Sequence, residues 1–186
     1  TRLKADDQQD CRANPAAEAS RYGISLNEGL SPGAISATAK QPVAINPYLT
    51  DAAVDHSQWM IDHDVFQHAG LNNSDPGDRM AAAGYVFTAP SGWGENLAWS
   101  GTTGSPPDPG QTTPDLHKNL FVDTEIEDRG HRINMLDPDF REVGPAVLNG
   151  VFQGYNAVML ATDFAYTKDT YFLTGVAYDD LKVDDD

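Results

Sequence analysis

The chain has a single cysteine, few positive charges and no long apolar run. Cys11 stands alone, which excludes an internal disulfide and any cysteine-rich zinc site. It leaves the compartment open, since a secreted domain with an adequate core folds without disulfides. Only 12 Lys and Arg stand against 28 Asp and Glu, a formal charge of −16. A field of that sign repels nucleic acid and anionic lipid and favours cations, so no nucleic-acid partner is expected. The apolar runs are a few residues long, so no transmembrane segment is expected either. Three catalytic or metal signatures are also missing: H-E-x-x-H, G-x-S-x-G and the D-x-[DN]-x-[DN]-G order of a calcium loop.

What is present suits one folded domain. The chain has 186 residues, 40% of them apolar, enough for a real core. Residues 1–13 are polar and read as an irregular N-terminal segment that starts mid-stream, as a trimmed chain would. Residues 14–23 read as a short helix, with Asn14 as cap, Pro15 in the first turn and Gly23 as stop. Over 46–66, Leu49, Ala52, Ala53, His56, Met60 and His63 recur every three or four residues and predict the main helix. Another short helix is expected over 77–85 and a further one over 115–126. Between them, 102–114 carries four prolines and reads as a loop or flap. The last third is rich in Val, Leu and aromatics, and predicts antiparallel strands over 141–150, 156–166 and 170–180. Helices first and strands later predict an α+β domain with helices packed on an antiparallel sheet. The tail, 171–186, reads as an extra strand and an acidic linker toward a further region, with the domain itself over 1–170.

One stretch is unusual. In "SGWGENLAWSG" (91–101) a lone carboxylate, Glu95, sits among glycines and two tryptophans, too apolar a setting for an ordinary surface acid. Histidines flanked by glycine-containing loops are candidates to meet it: His68 in "VFQHAG" and His131 in "DRGHRINML". Their spacing alone equally allows histidines satisfied by core or surface hydrogen bonds. His56 and His63 share a face of the main helix and read as hydrogen-bonding groups, His117 as exposed, and Arg132 as a partner for Asp137 or Asp139. "NNSDPGD" (72–78) has the content of a calcium loop but equally of any turn.

Taken in order, "FQHAG", "GWGENLAWSG" and "GHRINMLDPDFREVGPAV" resemble the CAP superfamily of cysteine-rich secretory proteins, antigen 5 and plant pathogenesis-related class one proteins. The bacterial branch, also called the SCP domain, looks most similar, with further likeness in "RANPAAEASRYGISLNEGL" and "AAVDHSQWM". The resemblance covers about residues 11–165. It implies a three-layer α-β-α sandwich around a central antiparallel sheet, and a cleft of two histidines and two acids. Residue by residue, these would be His68, Glu95 and His131, with the second acid in "LFVDTEIEDRGH". There the family's Trp-x-x-Glu is broken, with Phe121 in place of Trp; Asp123 is the first choice and Glu125 the alternative. The resemblance further implies a secreted or cell-surface protein, a monomer or part of a longer multidomain chain. Its cleft would take zinc or another divalent cation on His68, His131 and Glu95; calcium, the weaker cofactor reading, would belong to 72–78 and not to the cleft. Three functions fit: a binding module for a lipid, glycan or protein; a metal-dependent hydrolase of peptide or ester bonds; or a structural, adhesive module.

Overall fold

The computed structural model describes residues 2–168 and 170–172. Its helices are α1 (Arg2–Ala13), α2 (Pro15–Arg21), α3 (Pro47–His63), α4 (Pro76–Ala83), α5 (Pro109–Val122) and α6 (Gly130–Leu136). Its strands are β1 (Ala44–Ile45), β2 (Gly92–Thr102), β3 (Glu142–Phe152) and β4 (Tyr155–Tyr166), in the order β1-β3-β4-β2. The three long strands are antiparallel, and the two-residue β1 adds a parallel edge. The strand expected over 170–180 falls mostly outside the described residues.

β4 explains the layering. It is central, so its run of apolar residues is buried on both faces instead of alternating with polar ones. Val158, Leu160 and Phe164 join Leu116, Leu120 and Phe121 of α5 and Met135 of α6. Met159 and Ala161, pointing the other way, meet Ala53 and Met60 of α3. Each large side chain fully buried in this way contributes about 1.5–3 kcal/mol. Helices thus cover both faces of the sheet, an α-β-α sandwich. α3 lies so close to β3 that a Cβ on Gly144 would come within 2.1 Å of the Leu49 carbonyl carbon.

Several sequence expectations are corrected. The N-terminal segment is helical over 2–13, not irregular: α1 is tied down by polar groups that no apolar periodicity advertises. Buried Gln8 and Arg12 both bond the Met135 carbonyl, and Arg12 also bonds those of Gln41, Asp137 and Phe140. Burial pushes the Arg12 pKa down to about 10. Helices do not all precede strands, because "GWGENLAWSGT" is β2 itself. The proline-rich stretch is only partly loop. Asp108 accepts from the Gly110 and Gln111 amides and Pro109 fills the first turn, so α5 begins there and tolerates Pro114 inside. His117 is therefore mid-helix and buried, 3.3 Å from Glu18. Arg132 is structural but bonds the Leu26, Glu28, Phe121 and Val122 carbonyls instead of Asp137 or Asp139. In 72–78, Asp75 and Asp78 form a reciprocal cap on α4.

Candidate functional site

Glu95 faces the α4 side of the sheet from β2, with its carboxylate almost wholly buried and both oxygens engaged. Oε1 meets His68 Nδ1 at 2.7 Å, and Oε2 accepts from Arg79 Nη2 at 2.6 Å. His68 follows α3 in the loop before α4, and Arg79 on α4 also bonds the His68 carbonyl, which fixes that loop against the sheet. Burial raises the Glu95 pKa, but the His68 hydrogen bond and the Arg79 charge outweigh it, and the carboxyl is held below its ordinary range. The His68 ring itself is half exposed.

Directly across the ladder from Glu95 lies Asp163 on β4, fully buried. Neither of its carboxyl oxygens has a hydrogen bond of ordinary geometry. Burial, and then the neighbouring Glu95 charge, push its pKa well above the ordinary carboxylate range. Two carboxyls side by side cannot both ionise. Glu95 keeps the charge because it has the cation. Sequence reading missed both Arg79 and Asp163. A signal for Asp163 did exist, as the one acid inside an otherwise apolar central strand.

The second histidine is held differently. α5 ends on Asp123, whose backbone is left-handed (φ 55°), and its carboxylate takes both the backbone N–H of His131 (2.9 Å) and ring Nδ1 (2.7 Å). Glu125 is exposed in the following turn and contacts neither histidine in this way, although it lines the same cavity as His131. His56, buried and close enough to Glu95 to feel its charge, bonds the Gln67 carbonyl, and its pKa is lowered chiefly by burial; His63 is exposed, not buried, and bonds the Trp59 carbonyl. Among the described residues, no three or more His, Cys, Asp or Glu are grouped to hold a metal ion.

Two cavities follow one another along β2. His68, Trp93, Glu95 and Asn134 line one of about 500 Å³. His131, Leu97, Trp99, Phe66 and Asp123 line the next, about 440 Å³. Asn134 stitches them: its Nδ2 donates to Asn96 Oδ1, and Asn96 Nδ2 donates to the His131 carbonyl. Gly94 leaves room for this, since a Cβ there would lie 3.1 Å from Asn134 Oδ1. Each histidine thus has Nδ1 occupied by a carboxylate, which as a hydrogen bond places the proton on Nδ1 and leaves Nε2 with its lone pair.

The model of the CAP, or cysteine-rich secretory protein, family matches residues 12–162, most of the chain, and the chain belongs to that family. Among solved structures, NaASP2 with Zn2+ is similar at 16% identity and TM-score 0.53, covering 88% of this chain and 80% of that one. An outer surface protein from Borrelia burgdorferi is 14% identical with TM-score 0.50, over 69% of this chain and 80% of its own. An extracellular protein containing a SCP domain from Bacillus anthracis str. Ames is 21% identical with TM-score 0.44. The match covers 67% of this chain and 34% of that longer one. No curated protein matches significantly. No helix among the described residues is long and apolar enough to cross a membrane.

Proposed function

We propose that residues 1–170 form an extracellular binding module whose cleft along β2 takes a divalent cation, zinc first, on His68 and His131. The observation that carries this reading is the pairing of each Nδ1 with one carboxylate at 2.7 Å, which leaves the Nε2 lone pair of each ring for a cation. That is how metal-binding histidines are oriented. The donor set fits an open, two-histidine site and does not fit a closed structural one, since both oxygens of Glu95 are engaged behind His68. A bound cation would supply Lewis-acid polarisation of a ligand oxygen. The chain's own part is to hold the two rings in the right tautomer and to keep Glu95 charged without a water shell. The name of NaASP2 with Zn2+ is in keeping with this choice of metal.

The hydrolase reading is weaker. A general base needs a free carboxylate near a water, and Glu95 is locked between His68 and Arg79 with a lowered pKa. A purely bracing role fits the buried Glu95 but not the half-exposed His68 ring. The test is zinc uptake by chelator-stripped protein, wild type beside the His68→Ala/His131→Ala double variant. One equivalent bound by wild type and none by the variant is expected; equal binding by both would overturn the metal reading.

A further inference from the structure

The register of the sheet fixes which backbone groups of β2 face outward. The Ala44 and Asn46 amides donate to the Arg141 and Val143 carbonyls, so odd-numbered residues of β3 turn toward β1. Even-numbered residues of β3 therefore bond β4, where Glu142 and Gly144 pair with Ala165 and Asp163. That leaves the even-numbered residues of β4 to bond β2, where Thr162 pairs with Asn96 and Phe164 with Gly94. Odd-numbered residues of β2, namely Trp93, Glu95, Leu97 and Trp99, then present both N–H and C=O to the outside. The Glu95 carbonyl agrees, since Asn134 Nδ2 reaches it from outside the sheet at 3.4 Å.

Among the described residues β2 is an edge strand, and beyond Asn134 nothing pairs with that edge. Among the described residues, no hydrogen bond links the backbone of Leu97 or Trp99 to anything outside the β2–β4 ladder. Of the devices that usually block an edge, β2 has one at Glu95, an inward charge with Asn134 over its carbonyl, but residues 97–99 include no Lys, no Pro and no break in pairing. The edge at Leu97–Trp99 forms one wall of the His131 cavity, so a chain laid there would pass between apolar side chains such as Phe66 and Ile126. Charge selects the chain. Asp75, Asp123 and Glu125 line the two cavities, no Lys or Arg does, and the protein as a whole carries −16.

We propose that the open edge of β2 at Leu97 and Trp99 docks an extended, lysine- or arginine-bearing peptide as an added strand. The occupant is a peptide because only a backbone offers donors and acceptors at the repeat this edge presents. It is basic because exposed Glu125 has no cation beside it on the cavity walls, and the half-satisfied Asp75 and the net charge of −16 add to the same field. This names the partner class for the binding module proposed above and rests on that reading of the cleft, but needs no metal in it.

The probe is a capped synthetic heptapeptide library with lysine at alternate positions and Val, Leu, Thr or Phe between them, titrated against the full chain. The tightest member is then N-methylated one amide at a time. Losses of about tenfold or more at every second amide, and little change at those between, are expected for strand addition. NMR-detected amide exchange should slow at Leu97 and Trp99 under saturating peptide and stay unchanged at Asn96 and Ala98, whose amides already bond β4. Sensitivity at all amides or at none, unchanged exchange at Leu97 and Trp99, or no binding below about 1 mM, a bare −4.1 kcal/mol, would overturn the proposal. Equal binding of a library with glutamate in place of lysine would overturn its choice of a basic partner. Zinc uptake on the same sample keeps the two ideas apart, because peptide binding lost while the wild type still takes zinc counts against strand addition alone.

Discussion

His68–Glu95 and His131–Asp123 have the same short contact and reach it by opposite routes. Asp123 lies eight positions before His131 and holds both its backbone N–H and its ring, so that pair is assembled by one turn between α5 and α6. Glu95 lies 27 positions from His68 and sits on a strand, so their contact exists only once α3, α4 and the sheet have packed. The distant pair also brings along Arg79 and Asp163, which makes its carboxylate part of the core. The local pair is separable from the fold, and the distant one is not.

The comparison breaks most visibly at Arg79. Replacing it with methionine leaves the Glu95 charge buried beside Asp163 with no cation, and removing one partner of a buried pair costs about 3–5 kcal/mol. Chemical denaturation at neutral pH should show a loss at the lower end of that range, because Arg79 Nε already lacks a partner among the described residues. A loss below about 1 kcal/mol would mean that Glu95 is not held in the core by its charge.

Asp163 comes next, through pH. Its pKa is raised on folding, so the native state keeps a proton that the unfolded chain releases above the ordinary carboxylate range. The unfolded state then binds fewer protons, and wild-type stability falls as pH rises, by about 1.4 kcal/mol per unit, until the folded pKa is passed. Asp163→Asn stays neutral throughout. Its stability relative to wild type should therefore rise along that slope from just above the ordinary carboxylate range until Asp163 itself ionises in the folded protein. Glu95 acts in the opposite sense and at lower pH: its lowered pKa gives stability that is present above the unfolded value and lost as pH falls through the folded one. Urea titrations across that range check both signs, and a flat difference between variant and wild type would show Asp163 to be ionised in the native protein.

Asp123→Asn tests the local pair. Asparagine tolerates the left-handed backbone that Asp123 adopts, so stability should change by less than about 1 kcal/mol. The weaker acceptor should still cost about tenfold in zinc affinity, measured by competition with a chelating dye, because partners behind a metal-binding histidine carry that much. Loss of the fold instead would erase the contrast between the two pairs.

The two regions were unequally legible in the sequence. The α3 helix could be read because its buried face repeats at helical spacing, and β3 and β4 because branched and aromatic residues cluster between turns. α1 could not, since its buried contacts are made by Gln8 and Arg12 to carbonyls more than 120 residues away. Nor could β2, because an edge strand rich in glycine shows neither period. At the site, glycine and histidine placement suggested candidates, and resemblance to the CAP family joined them into a set. Arg79 lay beyond both, since it sits in a short helix among alanines and nothing local distinguishes it from a solvated arginine.

The smallest expected effect concerns Glu125, the alternative to Asp123. After the left-handed Asp123 the chain turns, and 124–128 are all exposed, so the Glu125 carboxylate has no fixed relation to the His131 ring. An exposed acid near a site contributes through screened charge, worth about 0.2–1 kcal/mol. Glu125→Gln should therefore leave zinc affinity within about fivefold at physiological salt, with the difference shrinking as salt rises. For a docked lysine peptide the same variant should weaken binding with the same salt dependence, since there too it acts at a distance. A salt-independent drop in zinc affinity would instead mean that Glu125 swings in as a direct ligand, and the turn after α5 would then be a moving part of the site.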